Sequence, residues 1–328
     1  MNSSFWTKLK RPFTVLAPMA NVTDFAFRQI VAKCGRPDIF YSEFISCDGI
    51  VAAGVDRFRG ELYFKKSESP IVVQFFGSKP ENFYKCAQLA VQMGYDGIDI
   101  NMGCPDKSVE KQGGGAALIK KPELAVEIIN ATKEGAGKLP VSVKTRLGYN
   151  KIEIDDWIPK LMNTRPAAII VHGRTRKEMS KTPANWNEIS RAGEIARSIS
   201  KDTLIIGNGD VKNMADAYQK ASEFKLDGIM IGRGIFDNPW FFSPYLSTDV
   251  QRRPLHTPKE RTQLLIRHLE NFEKLWGQNK NFDTLKRFFK IYINGWDGAK
   301  ELRMKLMATK SGQEVKGVVD RYIAQNRL

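Results

Sequence analysis

The chain has 328 residues, 42% hydrophobic and 27% charged, which suits a globular enzyme with one large core and a smaller companion. Its 51 Lys and Arg outnumber 36 Asp and Glu, giving a formal charge of +15 and a sequence pI near 9.6. The longest aliphatic run, 167–171, is far short of the ~20 residues a membrane span needs. The four cysteines form no CxxC pair and show no metal-like spacing to the three histidines, which excludes a disulfide scaffold or structural zinc.

Residues 1–10 are basic but have no apolar stretch behind them, so no secretory signal is expected and the reading is a reduced, cytoplasmic protein with no membrane attachment. No obligate protein partner is evident. The charge is uneven, because residues 245–328 alone hold 17 basic and 9 acidic side chains. That surplus points to a polyanionic partner, nucleic acid first and an anionic membrane second.

In chain order, eight short apolar runs read as strands: Phe13–Ala17, Ile39–Glu43, Ile71–Phe75, Gly97–Asn101, Val141–Thr145, Ala167–His172, Leu204–Asn208 and Gly228–Gly232. They are nearly continuous in apolar character, as strands covered on both faces are. Amphipathic helices alternate with them. Thr23 is expected to cap a helix carrying Phe27, Ile30, Val31 and Cys34, stopped at Gly35. Ser78 with Glu81 and Asn185 with Glu188 have capping-box spacing before two more. Eight strand-helix repeats in about 230 residues predict an α/β fold, a (β/α)8 TIM barrel over residues 1–244. An open doubly wound sheet is the rival, but no GxGxxG follows the first strand.

After about residue 245 the pattern becomes wholly helical. Pro244, Pro254 and Pro258 mark a connector, and Thr257 with Glu260 caps the first helix beyond it. Residues 245–328 are expected to form a small all-α helical bundle, with Lys286, Arg287, Lys290, Arg303, Lys305 and Lys310 on its polar faces.

In a barrel of this kind the active site lies at the C-terminal ends of the strands. Polar residues collect there: Gln74, Asn101 and Cys104, Lys144 and Arg146, His172 and Arg174, Asn208 and Asp210, then Arg233. A lone cysteine reads first as a small buried thiol. At the fourth of eight strand ends, on a Gly103-Cys104-Pro105 turn, Cys104 reads instead as a catalytic group. The glycines of Gly207-Asn208-Gly209-Asp210 and Gly232-Arg233-Gly234 let backbone N–H groups approach a phosphate. Lys144 and His172 face the cavity, where cations stabilise an electron-rich ring or a developing anion.

The combination Ala17-Pro18-Met19-Ala20, Gln74, Asn101-Met102-Gly103-Cys104-Pro105, Lys144-Thr145-Arg146, His172-Gly173-Arg174-Thr175-Arg176, Asn208-Gly209-Asp210 and Gly232-Arg233-Gly234 resembles the tRNA-dihydrouridine synthase family over nearly the whole chain. The resemblance implies an FMN-dependent oxidoreductase that reduces the C5–C6 bond of particular uridines in tRNA, with NADPH as the usual reductant. It also implies that Pro18, Met19, Ala20, Gln74, Lys144, His172, Asn208, Gly209, Asp210, Gly232 and Arg233 hold the flavin. Cys104 takes the place of the proton donor, and Asn101, Arg174 and Arg176 take those of substrate contacts. No metal is implied. The alternative is an FMN barrel oxidoreductase acting on a small pyrimidine-like molecule, which has no need of a basic helical appendage. Residues 179–186 depart from the family's Tyr-Gly pattern while keeping Trp186, and residues 286–290 replace a common Lys-His segment.

Overall fold

The computed structural model describes residues 4–243 and 256–326. Eight parallel strands occur: β1 Phe13–Leu16, β2 Phe40–Ser46, β3 Ile71–Phe76, β4 Gly97–Met102, β5 Val141–Arg146, β6 Ala168–His172, β7 Leu204–Asn208 and β8 Gly228–Ile231. They are hydrogen-bonded in the order β1-β8-β7-β6-β5-β4-β3-β2. A parallel bridge between Val15 and Ile39 joins β1 to the start of β2 and closes the sheet on itself. The expected barrel is present. Strand two runs three residues further than expected, and its register shifts between Tyr41 and Phe44.

The helices of eight or more residues are α1 Phe25–Cys34, α2 Pro80–Met93, α3 Pro122–Ala136, α4 Ile154–Met162, α5 Trp186–Ile199, α6 Met214–Glu223, α7 Pro258–Trp276, α8 Ala299–Met307 and α9 Gly312–Gln325. Asn185 and Thr257 cap α5 and α7 as their spacing predicts. Two other caps differ. Asp24, one residue beyond Thr23, accepts from the Phe27 amide and so begins α1. Ser78 donates to the carbonyl of Gln112 instead of capping α2, which starts at Pro80 after Lys79. Within the segment expected to be wholly helical, residues 282–292 form two single turns, 283–286 and 289–292.

The chain divides into two compact units, one of residues 1–20 and 37–232, the other of residues 21–36 and 233–328. This is not a single cut at 244/245, for α1 and residues 233–243 group with the C-terminal helices. The physical reason lies in α1: its Phe27 ring sits 5.0 Å from Phe288 and 5.5 Å from His268. Pro244 and Pro254, two of the expected connector prolines, lie outside the described residues, while Pro258 opens α7. In this unit Lys286 is half-buried and paired with Asp283, whereas Arg287, Lys290, Lys305 and Lys310 are exposed as expected.

Within the barrel unit the N-terminal ends of the strands are filled. Phe5–Lys8 forms a 3-10 turn that buries Trp6 against Phe13, the first residue of β1. Val15, Tyr41, Val72, Ile170, Ile206 and Met230 continue the same apolar cluster inward. With that end stoppered by side chains, the barrel can open only where the strands finish.

Candidate active site

Side chains alternate in and out along a barrel strand, so residues two apart stack as layers. On β3, β4 and β5 one layer is Gln74, Asp99 and Ser142, which lie side by side in register. All three are buried, as is Tyr41. Ser142 Oγ donates to Asp99 Oδ1 at 2.6 Å, and Gln74 Nε2 donates to Asp99 Oδ2 at 2.6 Å. The Tyr41 hydroxyl lies 3.3 Å from Ser142 Oγ. Burial pushes the Asp99 carboxyl up to about 7, against the pull of those two hydrogen bonds and the Lys144 charge.

The next layer carries Asn101 beside Lys144. Asn101 Nδ2 donates to Gln74 Oε1 at 2.9 Å, and its Oδ1 accepts from the amides of Gly103 at 3.1 Å and Cys104 at 2.9 Å. An Asn oxygen holding backbone amides two and three residues on is how such a side chain fixes a turn. From the other side Arg146 Nε donates to the Gly103 carbonyl at 2.6 Å, and the Cys104 carbonyl accepts from Ala116 N at 2.9 Å. Gly103 serves close approach: a Cβ there would sit 3.3 Å from the Thr145 backbone. The neighbour it must clear is β5, not a ligand. Gly115, at φ 61°, is needed too, since a Cβ there would meet the Cys104 carbonyl at 2.7 Å.

Cys104 is half-buried, while Cys34, Cys47 and Cys86 are buried. Burial raises its pKa above the ordinary thiol value; Asp106 acts in both directions and the cations Arg146 and Lys144 lower it. The thiol is therefore protonated at neutral pH. Lys144 Nζ donates to Asn208 Oδ1 at 3.2 Å, and Asn208 Nδ2 donates to the Met230 carbonyl at 2.8 Å. Burial, and then Arg146, bring the Lys144 ammonium down to about 8. His172 ends β6 opposite Asn208.

The structure thus brings Gln74, Asn101, Cys104, Lys144, His172 and Asn208 together on five neighbouring strands and one turn. Pro18 is buried, Met19 half-buried and Ala20 exposed after β1, and a Cβ on Gly232 would meet nothing nearer than Ala17 at 3.8 Å and Met19 at 4.0 Å. Arg233 is exposed and falls in the second unit. The expected substrate arginines already have protein partners. Arg174, 3% exposed at its side chain, pairs with Asp210 and donates to the Thr182 carbonyl at 2.6 Å. Asp210 also accepts from the Ala184 amide at 2.9 Å, so this expected flavin ligand holds the loop after β6. Arg176 makes a two-pronged pair with Glu110 and lies over the Tyr149 ring.

Asp99 and Ser142 were not singled out from sequence as site residues, and Arg146 was named only as one of the polar residues at the strand ends. Asp99 left a signal: a carboxylate inside the apolar run Gly97-Ile98-Asp99-Ile100 has to be satisfied by a buried partner. The clamp that Arg146 forms left no signal, since its three acceptors are backbone carbonyls, those of Thr175 at 3.1 Å and Met179 at 3.0 Å besides Gly103. No group of His, Cys, Asp and Glu suited to a metal occurs among the described residues.

The barrel resembles that of morphinone reductase, with a TM-score of 0.52 at 12% identity over 74% of this chain and 87% of the other, a likeness of fold alone. Sequence relatives are much nearer. The probable tRNA-dihydrouridine synthase of Staphylococcus aureus strain COL is 43% identical over 329 residues, 99% of this chain and 97% of the relative. The probable tRNA-dihydrouridine synthase 2 of Bacillus subtilis strain 168 is 42% identical over 326 residues, 98% and 97% of the two chains. The model of the dihydrouridine synthase family, Dus, matches residues 15–327. The chain belongs to the dihydrouridine synthase family.

Proposed function

We propose that the chain is a tRNA-dihydrouridine synthase, an oxidoreductase that saturates the C5–C6 bond of particular uridines in tRNA with FMN as cofactor and NADPH as reductant. The observation that carries this reading is a protonated, half-buried thiol locked on a turn beside a recessed ammonium at the open end of a barrel. The full-length relatives named above supply the substrate class.

The residues suit a flavin. Lys144 Nζ makes one hydrogen bond among the described residues, leaving two N–H groups for a ring carbonyl or an anionic ring nitrogen. The missing Cβ of Gly232 leaves room beside Met19. Gln74, Lys144, His172, Asn208, Gly209 and Gly232, with Pro18 to Ala20, would hold it. When bound, a reduced flavin supplies the hydride for one alkene carbon of uracil. Cys104 gives the other carbon its proton, and its high pKa keeps that proton in place until a carbanion-like carbon calls for it. Asn101 holds the turn from which the proton leaves. Arg176 is better placed than the buried Arg174 to reach a substrate phosphate.

A uridine has to leave its stack to enter a barrel, so the tRNA must be gripped elsewhere. We assign that grip to the second unit as a separate helical domain, whose exposed Arg287, Lys290, Lys305 and Lys310 neutralise phosphates. No helix of the described residues is long and apolar enough to cross a membrane, and we place the enzyme in the cytoplasm.

The test is purified protein with NADPH and tRNA lacking dihydrouridine. A yellow protein that forms dihydrouridine at defined positions is expected. Colourless protein, or reduction of free uridine but not of tRNA, would overturn the reading.

A further inference from the structure

Asp99 is fully buried, and its carboxylate reaches the active site only through other side chains. On β6 and β7 the inward positions are apolar: Ile170 and Ile206 stand two residues before His172 and Asn208, as Asp99 stands two before Asn101. Packing alone does not ask for a carboxylate here, and burying one is costly.

What the carboxylate provides is direction. Above about pH 7 the Asp99 carboxyl is ionised and only accepts, so Gln74 must turn its amide nitrogen toward Asp99 and its oxygen toward Asn101. Asn101 must then present its nitrogen to Gln74 and its oxygen to the turn, where the amides of Gly103 and Cys104 only donate. The path starts at a pure acceptor and ends at pure donors, so both side-chain amides have one self-consistent orientation. Ser142, backed by Tyr41, occupies the other carboxylate oxygen and keeps the group from turning away.

We propose that Asp99 is a positioning residue for Cys104, setting through Gln74 and Asn101 the direction of the hydrogen bonds that aim the thiol. This rests on the proton-donor role proposed above for Cys104. It also ties the flavin contact Gln74 and the proton donor to one path, so that neither can reorient without the other.

A double-mutant cycle tests it in the full-length holoenzyme at about pH 8.5, where the Asp99 carboxyl is ionised. In Asp99→Asn the new amide can still accept from Gln74, provided its nitrogen is claimed by Ser142 Oγ, and the direction survives. In Ser142→Ala the carboxylate remains, which has no wrong way round. In the double variant nothing stops the new amide from presenting its nitrogen to Gln74 and reversing the path. Each single change is expected to alter kcat for tRNA by no more than about threefold, while the double lowers it by about tenfold or more with an unchanged KM.

The same non-additive pattern is expected in the rate at which iodoacetamide alkylates Cys104, read by peptide mapping without tRNA or reductant. The other three cysteines are buried and react slowly. A double variant whose effects are the product of the two singles, or an Asp99→Asn variant already as impaired as the double, would overturn the proposal. Non-additive alkylation in a protein that reduces no tRNA would leave the positioning intact and remove the proposed activity instead.

Discussion

Two fully buried ionisable residues, Asp99 in the barrel unit and His268 on α7, respond to burial in the same way and lead to opposite ends. Exclusion of water favours the neutral form of each, driving Asp99 up to about 7 and His268 down to about 4. Asp99 has a donor on both oxygens, and its partners continue to a half-exposed thiol. His268 meets the Tyr292 hydroxyl at 2.9 Å through Nδ1, while Nε2 has no hydrogen-bond partner among the described residues. Its surroundings are aromatic, with Phe288 at 4.6 Å and Phe27 at 5.5 Å between ring centres. A perturbed pKa therefore does not by itself mark a site. The route of the hydrogen bonds leaving the group does.

The contrast breaks first at Cys104. Cys104→Ala is expected to retain flavin absorbance but to slow tRNA reduction by about 10²–10⁴-fold, the usual span for a lost general acid; an undiminished single-turnover rate would remove the thiol from the chemistry. Lys144→Met is next. It should empty the flavin site and, with both proteins compared free of flavin, raise the melting temperature by a few degrees near pH 7, because a recessed cation is removed. The sign follows from linkage: the folded pKa of Lys144, about 8, lies below its ordinary 10.5, so its cost to stability is complete below pH 8 and fades as pH rises toward 10.5. The gain should therefore shrink at pH 10, and a gain independent of pH would refute the cause.

At His268 the expected loss is structural. His268→Phe strands the buried Tyr292 hydroxyl and should cost about 1–3 kcal/mol in denaturant unfolding, largely recovered by adding Tyr292→Phe. The rate of tRNA reduction should not move in either variant; if it fell, the aromatic cluster would have a part in catalysis. The smallest effect concerns Asp99→Asn. The folded pKa near 7 stands above the ordinary 3.8, so the carboxyl's cost is absent below pH 4, grows between 4 and 7, and is complete above 7. The variant should be more stable than the parent at pH 8 and no more stable at pH 4, as differential scanning calorimetry would show.

Much of this architecture was written in local sequence. All eight strands lie where continuous apolar runs put them, because a strand covered on both faces has no polar alternation to hide it. The caps at Asn185 and Thr257 follow from side chains acting on their own helices. Where a side chain had a better partner far along the chain, the local reading failed: Ser78 turned to Gln112, and Arg174 to Asp210 and Thr182. The same holds for the path through Asp99. It joins residues 25 to 43 positions apart that become neighbours only through strand register, so no motif announces it.

Arg146 has one further consequence. It grips the loop after β6 by the carbonyls of Thr175 and Met179, and the cysteine turn by that of Gly103. Carbonyls are common to every residue type, so this clamp is blind to the identity of the side chains it holds. Met179, exposed and in a left-handed conformation, could be exchanged for Asn or Gly without loosening the thiol. Residues facing outward on that loop can thus diverge while the cysteine turn beneath them stays fixed in place.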